Sequence, residues 1–208
     1  MISNRLRIIF FPNGKYNKLY SQYVGWSFIS TVLVSAESAM STHSLLHAIN
    51  TDSETLRTIN YVGKDIIGQL GGLGYMAKMG EKSDKEPLKF LNYSNIIQQS
   101  SYIMICSTPF VSDYFLPIAG FSNILSNISY TGYGAINAKC VQKLATDNNI
   151  GEIYAKITVI NTLGSSIGLI LGLGITACLP DHGSRLAILP FLAIGRIYTF
   201  NKAIRGLI

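Results

Sequence analysis

Long apolar stretches alternate along this chain with short polar connections. Phe90–Ser112, Tyr114–Ala138 and Ile157–Pro180 contain no Lys, Arg, Asp or Glu. A helix needs about 20 such residues to cross a hydrocarbon core about 30 Å thick. The pattern therefore predicts membrane-spanning helices rather than a soluble domain. Six spans are expected, at about Leu19–Ile49, Thr58–Met79, Leu91–Ser112, Tyr114–Ala138, Ile153–Leu179 and Leu186–Ile204. The first is long for one straight span: it can tilt, kink near Ser35–Ser38, or begin as an interfacial helix carrying Tyr20, Tyr23 and Trp26. Pro180 is expected to stop the fifth, and Pro190 to kink the sixth. The expected fold is an all-α, polytopic integral membrane bundle, one domain over residues 1–208, with both termini on the same side.

The charges between the spans test that count. The side holding the N-terminus receives Arg5, Arg7, Lys15, Lys18, Lys78, Lys82, Lys85, Lys89, Lys139, Lys143, Lys202 and Arg205. The other side receives Arg57 and Arg185, beside Asp52, Glu54, Asp113 and Asp181. Basic residues thus divide twelve to two. Cytoplasmic loops carry the Lys/Arg excess, so both termini are expected to face the cytosol, or the stroma or matrix of an organelle.

Composition agrees. Charged residues are 13% of the chain, against about 25% in an ordinary soluble domain. Hydrophobic residues are 48%, and the mean hydropathy is +0.29. The net charge of +6 resides in connections and termini, which points to a lipid bilayer and away from nucleic acid. Cys106, Cys140 and Cys178 are odd in number, far apart and without a CxxC pair. They read as small hydrophobes in packed helices, not as a disulfide framework or zinc site. The N-terminal residues lack the apolar core and cleavage site of a signal peptide. Either the first span directs insertion, or a targeting segment is missing from this chain.

Two glycine clusters stand out. Gly164, Gly168 and Gly172 recur every four residues, and Gly68, Gly71, Gly72 and Gly74 lie close together. On a helix such residues form a smooth face that lets a second backbone approach. Gly68, Gly72, Gly164, Gly168 and Gly172 are assigned to such packing faces. A phosphate-binding loop is discounted, because the Lys-Ser/Thr and the strand–turn–helix context are absent.

A few charges break the apolar pattern. Glu37 falls inside the first span, Lys64 and Asp65 inside the second, and Lys156 near the start of the fifth. A charge at mid-bilayer costs about 2.5–3.5 kcal/mol on the insertion scale, so it faces the bundle interior or a cavity. Glu37, Lys64, Asp65 and Lys156 form the candidate polar site, with Glu37 expected to meet Lys64 and Asp65 to meet Lys156. Adjacent Lys64 and Asp65 diverge by about 100° on a helix, which argues against their pairing with each other. His43 and His47 have helical ligand spacing, but Ser44 stands where an HExxH motif has Glu. No metal, cofactor, nucleophile–base pair or enzymatic activity is expected.

Several blocks resemble one family. Phe11-Pro-Asn-Gly14, Tyr16, Tyr23 and Trp26 are similar to the opening of the root UV-B sensitive family, and Ser41–Ile49 to its next block. Lys64-Asp65-Ile-Ile-Gly68-Gln-Leu-Gly71-Gly72 resembles its Lys-Asp-Gly-x-Gly-x-x-Gly segment. Asn127-Ile-Ser129, the Asn149–Lys156 stretch, Gly168 to Gly172, and Lys202-Ala-Ile-Arg205 follow in the family's order. Ile66, Gly134 and Val159-Ile160 depart from it. Relatives continue past the equivalent of Ile208, so whatever that region does is not expected here. The resemblance implies an integral membrane protein of unassigned activity, in plants often plastid-associated and linked to UV-B tolerance and early seedling development.

Two functions fit. A small transporter or carrier component suits intramembrane charges and Gly-interrupted helices. A membrane scaffold would instead pair with a homologue, as a homo- or hetero-oligomer, through the Gly164/Gly168/Gly172 face. A cavity reaching Glu37, Lys64 and Asp65 favours transport, and sealed packing around them opposes it. The transporter is ranked first.

Overall fold

The computed structural model describes residues 9–49 and 53–208. Six long α-helices follow one another: α1 (Tyr20–Ala48), α2 (Glu54–Lys85), α3 (Pro87–Ser107), α4 (Phe115–Leu144), α5 (Ile150–Cys178) and α6 (His182–Ile204). Two single 3-10 turns, Thr108–Phe110 and Ser112–Tyr114, join α3 to α4. The described residues form no strand, only an isolated bridge between Tyr16 and Ala145. Each helix stands where the apolar pattern predicts one. Pro87 opens α3 at a position where its missing N–H costs nothing. Pro190 lies inside α6, which continues through it.

The helices alternate in direction. One buried cluster gathers Tyr20 from the start of α1, Leu144 from the end of α4, Ile153 from the start of α5 and Ile204 from the end of α6. Phe11 and Leu207 pack into it as well, so both ends of the described chain meet at the basic end of the bundle. A second cluster joins Leu45 and Ala48 with Phe115 and Ala119 at the opposite end. Arg5, Arg7 and Asp52, which entered the charge count, lie outside the described residues, as does the side chain of Lys82.

The bundle has two halves. α1 lies against α5 and α6, while α4 lies against α2 and α3; the halves meet chiefly where α3 touches α1 and α6. Small residues make these seams. Between α3 and α4, Ser101 Oγ lies 2.9 Å from Ser122 Oγ and 2.6 Å from Ser126 Oγ, and Ser129 Oγ donates to the Ser94 carbonyl at 2.8 Å.

The glycines of α5 face α1 of the same chain. A Cβ at Gly168 would strike the Val32 carbonyl and sit 2.7 Å from Ser35 Cβ. One at Gly172 would sit 2.5 Å from the Ala36 carbonyl oxygen, and one at Gly164 3.1 Å from the Phe28 ring. These glycines therefore meet α1 of their own chain, and α1 occupies the face assigned to pairing with a homologue. Gly68 and Gly72 are likewise buried; a Cβ at Gly68 would lie 2.5 Å from Asn123 on α4, and one at Gly72 would lie 3.8 Å from Ile128.

By length and apolarity alone, one described helix, α5, qualifies to cross a membrane. The other five are diluted by polar side chains, including nine serines and threonines within α1 and the charges Lys64, Asp65, Arg185 and Arg196 within α2 and α6. Where those side chains point therefore matters more than their number.

Asp181 caps α6: its Oδ2 accepts from the Ser184 N–H at 2.7 Å. These bonds hold the carboxyl below its usual range. A depressed folded value means that the cap is present above the unfolded value and lost as pH falls through the folded one. Hydrogen exchange at the Ser184 amide is expected to rise in that acid window. Asp181→Ala should show the faster exchange already at neutral pH.

Candidate polar site between the two halves

The interior is polar at its centre. Glu37 of α1 is fully buried and Arg196 of α6 is 2% exposed. Arg196 Nε donates to Glu37 Oε2 at 2.9 Å. Its Nη1 donates to Asn95 Oδ1 of α3 at 3.2 Å and to the Tyr133 hydroxyl of α4. Tyr133 in turn donates to Asn95. Arg196 therefore ties its own half of the bundle to the other. A second tie is the Tyr23 hydroxyl, which donates to Asn137 Oδ1.

Glu37 thus meets Arg196, not Lys64 as the sequence suggested. Arg196 is the residue that sequence reasoning missed. It lies within the predicted span Leu186–Ile204 and belongs to neither side of the charge count. The signal was available: Leu186–Gly195 and Ile197–Asn201 flank it without another charge.

Lys64 and Asp65 do pair with each other, at 2.6 Å. Their backbone directions diverge, but the four-carbon lysine stem reaches back across the difference. Asn123 of α4 completes the group, donating to Asp65 Oδ1 at 2.9 Å and to the Lys64 carbonyl at 3.2 Å. Lys64 Nζ also lies 4.2 Å from the centre of the Tyr61 ring. Asp65 is therefore engaged by Lys64 and Asn123, on the half of the bundle opposite Lys156, which lies half-buried on α5.

Two cavities follow α1 along the seam between the halves. The larger, about 250 Å³, is lined by Tyr23 and Thr31 of α1, Tyr130, Tyr133 and Asn137 of α4, Asn161 of α5, and Arg196 and Phe200 of α6, among others. The smaller, about 150 Å³, lies farther along α1, at Ser38, Ser41 and Thr42, and is bounded by Lys64, Tyr102 and Asn123. Tyr130 borders both. Its hydroxyl lies 3.3 Å from that of Tyr102. The cavities reach Arg196 and Lys64; Glu37 is fully buried and Asp65 borders neither, so of the cavity expected at Glu37, Lys64 and Asp65 only the Lys64 part is present.

All three histidines of the chain converge at the other end. His43 Nδ1 accepts from Arg185 Nη1 at 2.8 Å, and the rings of His47 and His182 stand 4.4 Å apart. Arg185 also donates to the carbonyls of Leu179 and Pro180. The cluster thus closes the α5–α6 turn onto α1. Among the described residues no three His, Cys, Asp or Glu side chains are grouped to hold a metal.

Comparisons with known proteins give this architecture a family. A family profile described as a vitamin B6 photo-protection and homoeostasis domain matches residues 1–208. Protein root UVB sensitive 4 of Arabidopsis thaliana is 30% identical over 198 residues, covering 92% of this chain and 38% of that protein. Protein root UVB sensitive 2, chloroplastic, of the same plant is 24% identical, covering 95% of this chain and 47% of its own length. RUS family member 1 of Dictyostelium discoideum is 22% identical, covering 95% and 39%. The chain thus spans less than half the length of these relatives. No solved structure matches. A match along the whole chain, with relatives of one kind in a plant and an amoeba, shows that this chain belongs to the root UV-B sensitive family.

Proposed function

We propose that this chain is a multi-pass membrane domain that carries a small polar solute through the cleft between its two halves. The carrying observation is its inverted polarity. Glu37, Arg196, Gln98, Asn95 and a set of serines are buried, while Ile170 is 70% exposed and Phe191 73% exposed. Leu70, Leu73, Ile96, Leu173 and Ile194 also face outward. Water would disfavour such a surface, and monomeric soluble proteins rarely expose large apolar patches. Lipid favours it, and places polar side chains inside or along a cavity. This accounts for part of the modest hydropathy of α1, α3 and α6, where Glu37, Asn95, Gln98 and Arg196 lower the average from inside the bundle.

The cleft supports carriage. Its walls combine aromatic rings with amide, hydroxyl and guanidinium groups, as small-molecule sites do. The family's description makes a B6 vitamer the first solute to test, since a hydroxylated pyridine offers a ring to stack and groups to hydrogen-bond. The chloroplastic relative makes an organelle membrane the first place to look.

Purified protein in proteoliposomes is expected to take up radiolabelled pyridoxine or pyridoxal phosphate faster than protein-free vesicles. Lys64→Met should lower that uptake at least several-fold while leaving the amount of folded, inserted protein unchanged. Correctly inserted protein that moves neither vitamer would count against the B6 assignment. If the protein stays soluble without detergent or lipid, the membrane reading itself fails.

A further inference from the structure

We infer that the larger cavity selects solutes bearing an anionic group, recognised by the guanidinium of Arg196. The inference rests on the reading of the cleft as a solute site, and it adds the charge class of the occupant. Among the described residues, Arg196 is the one charged side chain on the cavity wall, and no Asp or Glu lines it. Its Nε and Nη1 are engaged by Glu37, Asn95 and Tyr133, whereas Nη2 has no hydrogen-bond partner. Glu37 Oε1 and Asn95 Nδ2 are also buried without a partner, but neither residue is part of the cavity wall.

A guanidinium N–H is a donor only, with no acceptor capacity. Buried polar groups without partners are rare, and each one calls for an occupant or an explanation. An unpartnered donor on the cation of the wall favours a carboxylate, phenolate or phosphate over an amine. The ring of such a solute would lie among Tyr23, Tyr130 and Phe200, whose side chains line the same space. Glu37 then has a positioning role: it holds the guanidinium by Nε and leaves Nη2 for the solute. A hydrogen bond to a charged group in a dry site is worth roughly a ten- to hundredfold change in affinity.

Benzoate, benzyl alcohol and benzylamine form a test set with one ring and three charge states. Binding to the detergent-purified full chain would be measured by saturation-transfer NMR titration. Benzoate is expected to bind at least tenfold more tightly than benzyl alcohol, and benzylamine weakest of the three. Arg196→Lys should keep a weakened preference for benzoate, and Arg196→Gln should abolish it. Asn161→Leu fills the cavity without touching the Arg196 network, so it covers the case in which the arginine variants fail to fold. It should reduce benzoate binding at least several-fold. Equal affinity for the alcohol, tighter binding of the amine, or an unchanged benzoate affinity in Asn161→Leu would overturn the inference. The readout is separate from flux. Benzoate bound selectively by a protein that carries nothing leaves the anion site standing and removes the carrier. Flux of neutral vitamers without any anion preference does the reverse.

Discussion

Arg196→Leu is expected to be the most damaging single substitution in the interior, lowering stability by about 3–5 kcal/mol, the cost of leaving a buried charge without its partner. Arg196 serves Glu37, Asn95 and Tyr133 at once, and those residues come from three other helices. Its loss strands the Glu37 carboxylate, which is fully buried, and removes a bond between the two halves. The double variant Glu37→Met/Arg196→Met separates these effects. Replacing a buried ion pair by apolar residues of similar volume is often neutral or stabilising, so the double variant should recover most of the lost stability. Asn95 and Tyr133 can still bond to each other in it. It should nevertheless fail to bind benzoate. Thermal unfolding in detergent, followed by circular dichroism, is the measurement. A double variant no more stable than Arg196→Leu would show that the stranded charge is not what destabilises the single one.

Gly168→Val is expected to rank second. The Cβ it introduces meets backbone at Val32, not a flexible side-chain end. No rotamer change relieves that contact, so α1 and α5 must move apart along the seam they share. Overpacking of this kind typically costs about 1–3 kcal/mol, and the upper part of that range applies where backbone is struck. Gly174→Ala and Gly151→Ala are the matched controls, since a Cβ at either meets nothing within 4 Å. Relief of glycine's conformational freedom within a helix should make them neutral or stabilising, by up to about 0.5–1 kcal/mol. If Gly168→Val melts with the controls, the α1–α5 seam is more compliant than its geometry indicates.

Both predictions concern features that the sequence displayed only in part. The spacing of Gly164, Gly168 and Gly172 showed a packing face, because the four-residue period of a helix is local. Whether that face met another chain or another helix of this one was not local, and α1 turned out to cover it. Glu37 was recognisable as an interior charge from its apolar surroundings. Its partner was not, since Arg196 lies far along the chain and only the packing of α6 on α1 brings it near. Lys64 and Asp65 illustrate the opposite error. Helix geometry separates their Cα–Cβ directions, yet side-chain length decided the pairing.

Six helices, their alternation in direction, the gathering of basic charge at one end and the family of the chain are all legible from the residues in order. Each follows from periodicity, charge placement or motif order, which are properties of neighbouring residues. Packing settled what the residues alone left open: Glu37, Asn95, Gln98 and Arg196 point inward, Arg196 links the two halves, and a cleft opens between α1 and α4. Those depend on how helices distant in sequence rotate about their own axes to pack, a degree of freedom that hydropathy along one strand of chain does not encode.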